Sequence, residues 1–129
     1  MIKYIIANWK MNFSLNNAID FCKQAPESII IAAPLPYLAY LSYNFPNLSF
    51  ASQDVSHIKD HYGAFTGETS SKMLCDIGLK YAIVGHSERR SYNGETNDVV
   101  KQKGSNCINN SNIPIICIGE NRECRDKKE

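Results

Sequence analysis

The sequence has 129 residues, 43% of them apolar and 21% charged, which places it among ordinary globular chains and fits one domain, residues 1–129. A formal net charge of +1 and a pI near 7.6 give no field that would draw nucleic acid or an anionic membrane, so neither is expected as a partner. The five cysteines, Cys22, Cys75, Cys107, Cys117 and Cys124, are odd in number and form no C-x-x-C pair, which points to reduced thiols and a cytoplasmic location.

The run Met1 to Ala7 is apolar but leads straight into Asn8, so it offers no signal-peptide core and no cleavage site. No stretch approaches the roughly 18 apolar residues of a membrane span. Lys3 to Asn8 reads instead as a buried strand. Leu15, Ala18, Ile19, Cys22 and Ala25 then recur at helical spacing, and Pro26 ends that helix. Ser28 to Ala33 is a second strand, and Leu35 to Tyr43 a second helix with Pro36 in its first turn.

Leu48 to Ser52 is a third strand, followed by a loop from Asp54 to Glu68 of about 15 residues, longer than ordinary connections and therefore expected to act outside the sheet. A third helix is capped by Ser70, runs to Ile77 and is closed by Gly78. Tyr81 to Val84 is the fourth strand. The connection from Thr96 to Asn112 starts with a capping threonine and Val99-Val100. Its second half, Gly104 to Asn112, is rich in asparagine and poor helix material. Pro114 to Ile118 is a fifth strand, and Asn121 to Glu129 is a charged stub of a connecting helix. Strands alternating with crossover helices, with no linker between them, define a parallel α/β fold.

Polar residues follow the strand ends, where parallel α/β folds keep their sites: Asn8 and Lys10, Gln53 and Asp54, His86 and Glu88, then Glu120. Lys10 is either a fixed cation for a phosphate or oxyanion, or a solvated loop lysine. His86 is either an acid, base or hydrogen-bond donor, or a histidine satisfied by backbone. Glu88 either partners Lys10 or acts on substrate, or pairs with neighbouring arginine. Gly63 to Gly67 lacks the spacing and lysine of a phosphate-binding loop. His57 and His61 fall in an irregular loop rather than on one helix face, so no metal is expected.

Taken together, Asn8-Trp9-Lys10-Met11-Asn12, Ser52-Gln53-Asp54, Gly63-Ala64-Phe65-Thr66-Gly67-Glu68, Val84-Gly85-His86-Ser87-Glu88-Arg89-Arg90, Gly94-Glu95 and Pro114-Ile115-Ile116-Cys117-Ile118-Gly119-Glu120 resemble the triosephosphate isomerase family in order and spacing. The resemblance implies a (β/α)8 TIM barrel, present here as a partial barrel of about four and a half β/α units, the N-terminal half of a fold of about 250 residues. It also implies a glycolytic and gluconeogenic isomerase that interconverts dihydroxyacetone phosphate and D-glyceraldehyde 3-phosphate through an enediolate, with a phosphosugar substrate and no cofactor.

By the same resemblance His86, Lys10 and Glu88 are catalytic and Asn8 and Lys10 bind substrate. His86 acts as a neutral electrophile at a helix N-terminus, a device for which this family is itself the standard example. Ser87 helps hold the histidine's surroundings. Thr66, Glu68 and Arg89 belong to a homodimer interface, Glu68 pairing with Arg89 across it. The family places its base, a glutamate, after strand six, and its lid and phosphate loops also follow later strands. The isolated chain is therefore expected to be inactive, with two open sheet edges prone to self-association. The alternative is a non-catalytic half-barrel fragment or oligomerisation module.

Overall fold

The computed structural model describes residues 3–120 and 122–127. In chain order the elements are β1 (Ile5–Asn8), α1 (Leu15–Cys22), β2 (Ile29–Ala33), α2 (Leu35–Asn44), β3 (Ser49–Ser52), α3 (Ser71–Asp76), β4 (Tyr81–Val84), α4 (Ser87–Asn93), α5 (Asn97–Asn109), β5 (Ile113–Ile116) and α6 (Arg122–Lys127). The strands form one all-parallel sheet in sequence order, so β1 and β5 each pair on one side only.

The strands are apolar on both faces because both are meant to be covered. Register places Ile6 beside Ile30 and Ile83 beside Ile115. These join Ala32, Ala51 and Tyr81 on the concave face. Ile31, Ala33, Phe50, Ala82 and Val84 point the other way and pack with Leu38, Leu41, Leu74, Val100 and Cys107 of the helices. The sheet curls: Tyr4, just before β1, meets Tyr81 of β4 edge-on, with ring centroids 6.1 Å apart. At the two edges, Ile5 is 65% and Ile116 53% exposed, although both lie on the helix-facing side of their strands.

Capping explains most helix starts. Ser14, Ser70 and Thr96 each accept the backbone N–H three residues on, from Asn17, Met73 and Val99. Gly78, at φ 81°, follows α3 as expected. α1 stops at Cys22 rather than continuing to Ala25, although the Lys23 and Gln24 N–H groups still bond back to Ile19 and Phe21. β5 begins one residue earlier than its sequence pattern suggests and ends two residues earlier, at Ile116, leaving Ile118 92% exposed.

Two helices depart from the sequence expectation. α4 has no apolar stripe and no buried residue, so periodicity gives no sign of it. Its ends make it: His86 caps the start, Glu88 sits in the first turn, and Gly94 at φ 64° closes it. α5 runs unbroken through the asparagine-rich segment. Its low intrinsic propensity is overridden by burial of Val100, Gly104 and Cys107 and by side-chain amides with tertiary partners. Asn106 donates to the carbonyls of Ser56 (3.2 Å) and Ile58 (2.9 Å), and Asn110 donates to Ser71 Oγ (2.8 Å). The charged stub does form a helix, α6, while Met1, Ile2, Asn121, Lys128 and Glu129 lie outside the described residues. Cys22 and Cys107 are buried, which pushes each thiol up to about 11.

Candidate active site

Asn8 ends β1, and its Oδ1 accepts the Lys10 N–H at 3.0 Å, turning the chain sharply. Lys10 sits at φ 54°, in the left-handed region, a conformation that a non-glycine residue holds at a cost of roughly 1–2 kcal/mol. From the end of β3, Gln53 reaches across to the Lys10 and Ala32 carbonyls.

His86 follows Gly85 beyond the end of β4. Gly85 is required there: its φ is 70°, and a Cβ would lie 2.8 Å from both Val100 methyls. The His86 ring accepts the Glu88 N–H at Nδ1, 3.2 Å away. With that lone pair engaged, the ring proton is assigned to Nε2, which becomes the ring's donor. Glu88 Oε2 also lies 3.5 Å from Nδ1. Since Nδ1 is already an acceptor, that proximity is a neighbouring contact and not an ion pair.

Glu88 has a different partner. Lys10 Nζ lies 2.6 Å from its Oε1, joining residues from the ends of β1 and β4. The Lys10 hydrogen bond holds the Glu88 carboxyl below the usual glutamate range, against a smaller opposing effect of desolvation. Asn8, Lys10, Gln53, His86 and Glu88 thus line a single cleft of about 420 Å³ at the C-terminal ends of the strands. The Lys10 cation paired with Glu88, the His86 ring and the side-chain amides of Asn8 and Gln53 line it. That set suits a small anionic substrate with a carbonyl oxygen.

Asp54 and Arg89 at the cleft wall belong to a charge cluster with Glu95 and Lys103, of which only Lys103 is absent from the sequence motifs. Lys103, on α5 and 3% exposed, places Nζ 2.6 Å from Asp54 and 2.5 Å from Glu95. Arg89 bonds the same two carboxylates, at 3.0 Å to Asp54 and 2.5 Å to Glu95. Burial raises the Glu95 carboxyl, but the hydrogen bonds from Lys103 and Arg89 more than offset it, so its pKa is lowered overall. A lysine in the middle of an amphipathic helix carries no sign of such burial, so Lys103 escapes sequence reading.

The remaining expected residues are placed as follows. Ser87 is the first residue of α4. Glu120 lies in a second cleft with His86 and accepts from Arg125 at 3.2 Å. Thr66 and Glu68 are exposed on the long loop, with Glu68 in a cleft shared with Arg89. Within this chain Arg89 is taken up by Asp54 and Glu95 rather than by Glu68. Among the described residues no group of three or more His, Cys, Asp or Glu is arranged to hold a metal ion.

A curled parallel sheet wrapped on its convex side by helices, with its polar residues gathered at the strands' C-terminal ends, defines a partial β/α barrel of the enzyme-bearing kind. The family model for triosephosphate isomerase matches residues 3–129. Triosephosphate isomerase of Orientia tsutsugamushi (strain Boryong) is 39% identical across 99% of this chain and 55% of that protein. That of Cupriavidus pinatubonensis is 42% identical across 98% of this chain and 54% of that protein. The crystal structure of triosephosphate isomerase from Bartonella henselae superposes with a TM-score of 0.85 at 28% identity, covering 97% of this chain and 54% of that one. The chain belongs to the triosephosphate isomerase family and spans about half the length of the curated relatives it matches.

Proposed function

We propose that this chain supplies one wall of a triosephosphate isomerase site, interconverting dihydroxyacetone phosphate and D-glyceraldehyde 3-phosphate in the cytoplasm as part of a homodimer. The observation that carries the reading is the junction of Lys10, just beyond β1, and His86, just beyond β4, in one cleft, with the imidazole Nδ1 taken up by the Glu88 N–H.

The chemistry follows from charge development. As a proton leaves the carbon beside the substrate carbonyl, negative charge builds on the carbonyl oxygen. The His86 Nε2–H donates to that oxygen and the Lys10 ammonium stabilises it. Removing one such donor typically lowers turnover by about 10²- to 10³-fold. Asn8 shapes the Lys10 turn and lines the same wall. Glu88 is a poor base, because Lys10 holds it ionised and weakly basic, whereas a general base works best with a pKa near the operating pH. Glu88 is therefore not the proton-abstracting carboxylate in this reading; by the family resemblance that base and the phosphate-binding loops belong to later β/α units, and no turnover is assigned to the present residues alone. Thr66, Glu68 and Arg89 serve the dimer interface.

The test is reconstitution. The chain, alone and mixed with a polypeptide carrying the remaining β/α units of a relative, is assayed with a coupled dehydrogenase. Activity that appears only in the mixture, and is lost with His86→Ala, supports the proposal; no recovery in a folded, co-eluting mixture overturns it. A second reading, a non-catalytic interaction module, draws on the exposed Ile5 and Ile116 at the two sheet edges. It predicts a compact dimer with protected strand amides in place of recovered activity.

A further inference from the structure

Among the described residues only Lys10 and Ser111 have positive φ without being glycine, and Lys10 is the one inside the cleft. A conformation that costs roughly 1–2 kcal/mol persists only where its surroundings over-determine it. Asn8 holds one end of the Lys10 residue by taking its N–H. The other end is its carbonyl, and that is taken by Gln53.

The Gln53 amide is well matched to this task. Its Nε2 has two hydrogens, and each finds a backbone carbonyl: Lys10 O at 2.8 Å and Ala32 O at 2.9 Å. Ala32 O also accepts the Trp9 N–H at 3.0 Å. One NH₂ group thus clips the loop after β1 to the end of β2 from its base at the end of β3. A carboxylate there would face two carbonyls with no proton to give, and a hydroxyl has only one.

We infer that Gln53 is a positioning residue: by fixing the Lys10 carbonyl it fixes the direction in which the Lys10 side chain leaves the backbone, and so delivers Nζ to the cleft beside Glu88. What Lys10 then touches in a substrate rests on the isomerase reading; the positioning does not.

The experiment uses the full chain and needs no turnover. Glu88 reports on Lys10, since the Lys10 hydrogen bond is what lowers its pKa. The Glu88 carboxyl is titrated by ¹³C NMR in the parent, in Gln53→Met and in a Lys10→Met reference. The expected result is that Glu88 in Gln53→Met rises into the ordinary glutamate range, matching the reference, while the His86 ring ¹⁵N signals stay at their parental positions and show the β4 end intact. A folded Gln53→Met in which Glu88 titrates as in the parent overturns the inference, even if the variant has lost stability. Should Gln53→Met fail to fold, Gln53→Asn keeps both donors but withdraws them by one methylene, and the same titration decides. Failed reconstitution of activity leaves this readout untouched, so the two ideas fail separately.

Discussion

Replacing Lys103 by methionine removes the central cation of a four-charge cluster. In the native chain Lys103 and Arg89 face Asp54 and Glu95, and the charges cancel. The Lys103 and Glu95 side chains are 4% and 5% exposed, so neither can swing into water when its partner is lost. Glu95 Oε2 is already buried without a hydrogen-bond partner. Breaking a buried pair from one side costs about 3–5 kcal/mol, because it leaves an uncompensated charge. Domains of this size have about 5–15 kcal/mol in total, so the loss is a large fraction of the whole. The exposed Lys23–Asp20 pair, at 61% and 68%, is the internal control: Lys23→Met should change stability by no more than about 0.5 kcal/mol.

Both variants are measured by urea denaturation at neutral pH, with slopes compared to confirm a like-for-like transition. The pH dependence adds a second check. Glu95 has a lowered pKa in the folded protein, so its contribution is present above the ordinary glutamate range and is lost as pH falls through its folded value. In Lys103→Met only Arg89 remains to hold Glu95 ionised, so that advantage shrinks, and protonation relieves the cluster's unbalanced negative charge. The gap between parent and variant should therefore narrow as the pH is lowered. A Lys103→Met chain within about 1 kcal/mol of the parent at neutral pH, or a gap that stays constant on acidification, would refute the assignment of the cluster as a stabilising unit.

Gly85→Ala should destabilise by about 2–4 kcal/mol in the same denaturation assay, combining left-handed backbone strain with overpacking. Its new methyl would stand 2.8 Å from Val100 Cγ1 and Cγ2 and 2.9 Å from Arg90 Nη2, and a loss below about 1 kcal/mol would show that the β4 end relaxes freely. Long-range ¹H–¹⁵N spectra of His86 at neutral pH should show an unprotonated Nδ1 and a protonated Nε2, as the Glu88 N–H contact requires. The reverse pattern would remove the donor that the proposed mechanism aims at the carbonyl oxygen.

Much of the sheet is legible because buried parallel strands are written as short apolar runs, and Tyr81–Val84 is bounded as its residues suggest. The caps Ser70 and Thr96 are equally plain, since a hydroxyl before a helix has one obvious use. What escapes is whatever depends on partners distant in sequence. α4 is a helix by virtue of its ends, and α5 survives its asparagines because Ser56, Ile58 and Ser71 receive them. Lys103 looks like any surface lysine until α5 folds it between Asp54 and Glu95. Within the cleft the polar residues themselves were visible after each strand. Their pairing stays open at that level: Lys10 is one candidate partner of Glu88, and nothing local favours it, 78 residues away, over the adjacent Arg89 and Arg90.

That distribution bears on how half of a barrel can matter to a reaction. The features that make Lys10 and His86 chemically specific are all internal to this chain. The left-handed turn is held by Asn8 and Gln53, the imidazole tautomer is set by the first turn of α4, and Arg90 ties α4 back to the Gly85 carbonyl at 2.8 Å. None of these needs β1 or β5 to be paired on its open side. A preorganised electrostatic wall contributes most when its groups need no rearrangement during the reaction. On the proposed reading, a complementary segment would bring the base to this wall and would not need to reshape it. If reconstitution succeeds, its dependence on His86 and Lys10 should resemble that of an intact barrel, because those groups are fixed before the second half arrives.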